Sequence, residues 1–155
     1  MSKLGDYFPP EHKQRFVEQH LKPGQVLYLF CEFTTPAKEK YLVLACPGGQ
    51  PLLFIMNSAI HPFIERRPEL RRCQVLLRAA EYDFLDHDSY INCSQVVDVL
   101  TEAEILHQIS TDIRRIQGEL TERTKRAIIR VVGSAKTIDK RTKRRIIHAL
   151  QEKDE

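Results

Sequence analysis

Hydrophobic side chains along this chain fall first into short unbroken runs and later into a helical spacing. Residues 25–33 (QVLYLFCEF), 40–46 (KYLVLAC) and 51–57 (PLLFIMN) are aromatic and branched, and turn residues bound them, so each is predicted to be a β-strand. Pro47-Gly48-Gly49-Gln50 separates the second run from the third and predicts a hairpin. Residues 73–77 and 89–93 predict two further strands, joined through the acidic stretch 81–88. Between them, residues 61–72 form a polar excursion in which Pro68 rules out one smooth helix. Short consecutive strands with tight turns predict a curled antiparallel sheet, not a parallel one.

Helical signals flank these strands. Pro10 suits the first turn of a helix, and Lys22-Pro23-Gly24 stops it, so an N-terminal helix is expected within residues 1–22. Thr101 and Glu104 have the spacing of a capping box, which starts a short helix running to about Ile109. A charged stretch follows, as far as Gly118. Beyond it lies an internal repeat: residues 120–132 (LTERTKRAIIRVV) align without a gap on residues 138–150 (IDKRTKRRIIHAL), at an offset of 18. In the first copy Ala127, Ile128, Val131 and Val132 share one helical face, and Arg123, Arg126 and Arg130 share another. Gly133-Ser134-Ala135 between the copies predicts two helices.

Charge sharpens this picture more than composition does. The net charge of +3 is the sum of −4 over residues 1–113, +9 over residues 114–145 and −2 over the last ten. The positive field is confined to residues 114–145, so whatever faces that segment is expected to be anionic. With 155 residues and 42% apolar side chains, one domain over residues 1–155 is expected. No apolar run reaches the roughly 18 residues of a membrane span, and no secretory signal is visible, so a cytoplasmic location without membrane contact is expected. Cys31, Cys46, Cys73 and Cys93 lack metal-ligand spacing and are expected to be reduced core residues.

The order of elements resembles the PemK/MazF family of toxin endoribonucleases. The resemblance covers residues from about 23 to 132 and is carried by several short segments. These are Pro23-Gly24-Gln25-Val26, Lys40-Tyr-Leu-Val-Leu-Ala, Leu52-Leu-Phe-Ile-Met-Asn-Ser58, Asp88-Ser-Tyr-Ile-Asn-Cys93 and Ile116-Gln-Gly118-Glu-Leu120. It implies a small antiparallel SH3-like β-barrel over residues 23–100, so the expected fold is α+β, with the N-terminal helix and the C-terminal basic helices over 101–155 around that core. It also implies a homodimer, an acidic antitoxin-like protein partner and RNA as substrate, with no cofactor. Where the family carries Arg-Pro at the start of its second strand, this chain has Lys38-Glu39-Lys40-Tyr41. The N-terminal helix and the second basic helix are additions to the family pattern.

Metal-free RNA cleavage needs a proton acceptor for the 2′-hydroxyl, a donor to the leaving oxygen and cations for the phosphorane. Lys40, Asn57, Ser58 and His61 cluster at strand ends and are the candidate constellation, with Lys40, Ser58 and His61 as its catalytic members. Asp83, Asp86, His87 and Asp88 have ligand types suited to a divalent ion, but an Asp-rich turn is the ordinary reading of that stretch and no metal is expected. Arg66, Arg67, Arg71 and Arg72, together with Arg123, Arg126, Arg130, Arg141 and Arg144, are candidates for contacting phosphates. The same surface could instead bind an acidic protein, giving a non-catalytic module on the same scaffold.

Overall fold

The computed structural model describes residues 21–151; the helix expected at the N-terminus lies outside them, apart from Leu21 and Lys22. Six strands form one antiparallel sheet: β1 (Gln25–Cys31), β2 (Lys38–Cys46), β3 (Leu52–Asn57), β4 (Gln74–Leu77), β5 (Ser89–Asn92) and β6 (Ile116–Glu119). Five helices accompany them among the described residues: α1 (Pro62–Glu65), α2 (Pro68–Arg71), α3 (Glu102–Thr111), α4 (Glu122–Ser134) and α5 (Lys140–Gln151). The architecture is α+β, with the sheet curled strongly into a half-barrel in the order β4-β5-β3-β2-β1-β6. The curled antiparallel sheet is as expected, but the closed barrel expected over residues 23–100 is not reached. Among the described residues β4 pairs only with β5, and β6 pairs only with β1.

The unbroken apolar runs have a simple cause: β2 and its neighbours are covered on both faces. Successive side chains of a strand point to opposite sides. Leu27, Leu29, Leu42, Leu44 and Leu53 pack on one side with Ile105 and Ile109 of α3. Val26, Val43, Ala45, Phe54 and Met56 pack on the other with Ile128 and Val132 of α4 and Ile146 and Leu150 of α5. Residues 42–45 are therefore buried without a break, although each strand alternates as usual.

Hydrophilic signals in the sequence set the helix starts. Thr101 Oγ1 accepts from Glu104 N at 3.1 Å and opens α3. Thr121 Oγ1 accepts from Thr124 N at 3.2 Å and opens α4. Asp139 Oδ1 accepts from Thr142 N at 2.8 Å and opens α5. Pro62 and Pro68 each stand in the first turn of a separate short helix, so the 61–72 excursion is two single turns. The strand hidden from sequence reasoning is β6. Its IQGE lacks a clear apolar alternation, and it forms because the outer edge of β1 offers backbone partners, with Gln25 opposite Glu119 and Val26 opposite Gly118.

Candidate functional site

The hairpin register brings the candidate residues together. Leu42 pairs with Ile55, so two residues further on Lys40 of β2 and Asn57 of β3 stand side by side, and Lys40 Nζ donates to Asn57 Oδ1 at 2.8 Å. Around them opens a cleft of about 770 Å³. Ser58 and His61 line it from the loop after β3, Asp86 and His87 from the loop before β5, and Tyr28, Tyr41 and Phe84 supply aromatic wall. Tyr41 bridges the other two rings, with centroids 4.7 Å from Tyr28 and 5.9 Å from Phe84. All three expected catalytic side chains, Lys40, Ser58 and His61, thus share one cavity.

Electrostatics differ from residue to residue. Partial burial, and next the charge of Lys38, lower the pKa of Lys40 below the ordinary lysine value, which makes its ammonium a readier proton donor. Burial, then Tyr28 and Asp86, raise the pKa of Tyr41, so its hydroxyl stays protonated. His61 Nδ1 accepts the backbone N–H of Phe63 at 3.1 Å and caps α1. That bond places the proton of the neutral ring on Nε2, leaving His61 a hydrogen-bond donor to the cleft. His87 is exposed on the cleft wall, and its imidazole has no hydrogen-bond partner among the described residues. The sequence placed His87 only within an Asp-rich turn; what marks it out is the folding of that turn against the β2–β3 strand ends.

The acidic stretch divides its roles. Asp88 Oδ1 accepts from Ala79 N at 2.8 Å and braces the loop, while Asp86 faces the cleft. Among the described residues no three His, Cys, Asp or Glu side chains are grouped so as to hold a metal ion. All four cysteines are free; Cys31, Cys73 and Cys93 are buried and Cys46 is half-buried. No helix among the described residues is long and apolar enough to cross a membrane.

The arginines separate into braces and free cations. The Arg67 guanidinium lies 3.5 Å over the Phe63 ring and donates to Phe63 O at 2.8 Å, tying α2 to α1. Arg71 reaches Glu65 O at 3.5 Å, whereas Arg66 and Arg72 are exposed. Arg123, Arg126 and Arg130 of α4 and Arg141 and Arg144 of α5 are all exposed. A further guanidinium reaches the start of β2 from outside the hairpin: Arg115 donates to Tyr28 O and to Glu39 Oε1, both at 2.9 Å. Tyr28 and Glu39 belong to the wall of the main cleft and also to a smaller adjoining hollow lined by Arg114 and Arg115. Nothing in the local sequence marks Arg115, because only the β1–β6 pairing carries it there. No protein-family model matches this chain, and no curated protein is significantly similar to it.

Proposed function

We propose that the protein is a PemK/MazF-like, metal-independent endoribonuclease whose reaction centre is the cleft around Lys40. The observation that carries the reading is the Lys40 ammonium held by Asn57 in a cavity shared with Ser58, His61 and His87. The 2′-oxygen of the substrate bonds to phosphorus as the bond from phosphorus to the 5′-oxygen breaks. His87, whose imidazole has no hydrogen-bond partner among the described residues, takes the 2′-hydroxyl proton. Lys40, its pKa lowered by burial, gives a proton to the departing 5′-oxygen. His61 Nε2–H and the Ser58 hydroxyl donate to the non-bridging oxygens, where negative charge develops. The products are a 2′,3′-cyclic phosphate and a free 5′-hydroxyl, and the protons of His87 and Lys40 re-equilibrate through water.

The toxin role, an acidic antitoxin-like partner, a homodimer, an SH3-like relationship of the curled sheet and a cytoplasmic setting belong to the same proposal. They rest on the family resemblance of residues 23–132. Incubation of the full chain with unstructured RNA in chelator tests the reaction. The expected result is cyclic-phosphate ends, with Lys40→Ala and His87→Ala each slowing cleavage by about 100-fold or more. Unchanged cleavage in both variants, or no cleavage of any RNA, overturns it. The absence of an arginine from Lys38-Glu39-Lys40-Tyr41 favours one second reading, a non-catalytic nucleic-acid-binding module. Binding without cleavage supports that one.

A further inference from the structure

The two copies of the C-terminal repeat place the same residue types at the same spacing, so α4 and α5 each carry an apolar face and an arginine face. In both helices the apolar phase is spent on the sheet, through Ile128 and Val132 in one and Ile146 and Leu150 in the other. The arginine phase is left in solvent: Arg123, Arg126, Arg130, Arg141 and Arg144 are all exposed. None of the five has an acidic partner among the described residues. The acids nearest in sequence are already committed. Glu122 pairs with Lys125 at 3.3 Å, and the Asp139 carboxylate accepts from Thr142 N and Oγ1 at 2.8 and 2.9 Å.

We infer that this ridge is a second nucleic-acid site, separate from the cleft, which grips the phosphate backbone of a duplex without reading its sequence. Like charges three and four residues apart within each helix, Arg123, Arg126 and Arg130 in α4 and Arg141 and Arg144 in α5, repel one another, and a polyanion relieves that repulsion. Arg123 and Arg130 lie seven residues apart, about 10 Å along the helix, a length over which a duplex presents several phosphates. No Phe, Tyr or Trp occurs after Tyr90, so the ridge has no aromatic platform on which unpaired bases could stack. The helices are also fixed. Lys143 Nζ donates to Gly133 O at 3.2 Å, and Arg145 Nη2 donates to Gly48 O and Gln50 O at 2.9 Å each, tying α5 to α4 and to the β2–β3 turn.

The inference holds whether or not the cleft cleaves RNA, and its test reads binding. Fluorescence anisotropy of the full chain is followed with double-stranded RNA and double-stranded DNA about two turns long, with a single strand of equal length and with poly-glutamate. If five phosphates are engaged, raising salt from about 50 to about 200 mM lowers duplex affinity by about 500-fold. Each Arg→Gln change on the ridge reduces the log–log salt slope by about 0.9. Loss of duplex binding in Lys40→Ala with the arginines intact would place the contact in the cleft and overturn the inference. The two duplex arms decide whether the backbone is that of RNA or DNA. The inference is overturned if duplex binding is absent at low salt, or if R123Q/R126Q/R130Q and R141Q/R144Q, folded by thermal melting, bind unchanged. Single strand or poly-glutamate bound as tightly as duplex through these arginines overturns it as well.

Discussion

Arg145 offers the sharpest test of how the repeat divides its labour. It aligns with Ala127 of the first copy and stands beside Arg144, yet it is half-buried while Arg144 is exposed. Its Nη2 donates to Gly48 O and Gln50 O at 2.9 Å each and lies 3.6 Å from Cys46 Sγ. Hydrogen bonds from a charged donor contribute about 1.5–3 kcal/mol each. Gly48 and Gln50 sit in an exposed turn, where water replaces much of what Arg145→Ala removes, so the expected net loss is about 2 kcal/mol. For a chain of this size that lowers Tm by about 4–8 °C. Arg144→Ala, a change on the exposed face, is expected to stay within about 0.5 kcal/mol. Urea unfolding of both variants, read by circular dichroism, checks the contrast. Equal effects, or an Arg145→Ala loss below about 0.5 kcal/mol, would refute the assignment of Arg145 as a brace.

Other positions give equally direct tests. Gly24 has φ +87°, and an added Cβ would lie 2.5 Å from Lys125 Cε, so Gly24→Ala should cost about 1–2 kcal/mol in a denaturant titration. Ile128 and Ile146 are repeat partners, both fully buried on the same side of the sheet; each Ile→Ala change should cost about 2–5 kcal/mol, and a much smaller loss at either would show that its helix packs loosely. Burial raises the thiol pKa values of Cys31, Cys73 and Cys93. As pH rises past the ordinary thiol value of about 8.5, the unfolded chain loses these protons first, so stability falls with increasing pH. Unfolding midpoints measured at about pH 7.5 and pH 10 should therefore converge in Cys93→Ala relative to the unmodified chain, and an unaltered pH dependence would count against the buried thiols as its cause.

Much of this molecule was legible in the order of its side chains, because the relevant interactions are local. Apolar runs marked β1 to β5, the first three bounded by Pro and Gly, and Pro68 divided α1 from α2 by backbone geometry alone. Thr101 announced the start of α3, and the repeat announced the buried faces of α4 and α5. Lys40, Ser58 and His61 were found as candidates because consecutive strand ends of a hairpin must meet. What depended on partners far along the chain was not legible. β6 exists because β1 has a free edge, the sheet stops at a half-barrel because β4 and β6 do not pair, and His87 enters the cleft only through the folding of a distant loop. Arginines identical on paper became different objects: Arg67 stacks on Phe63, Arg115 bonds Tyr28 and Glu39, Arg145 clamps a turn, and those of the α4 and α5 arginine faces remain in solvent. Pattern determines which face of an element is apolar, since that depends on spacing along one backbone; which polar groups are consumed and which stay free is decided by contacts that only the assembled fold creates.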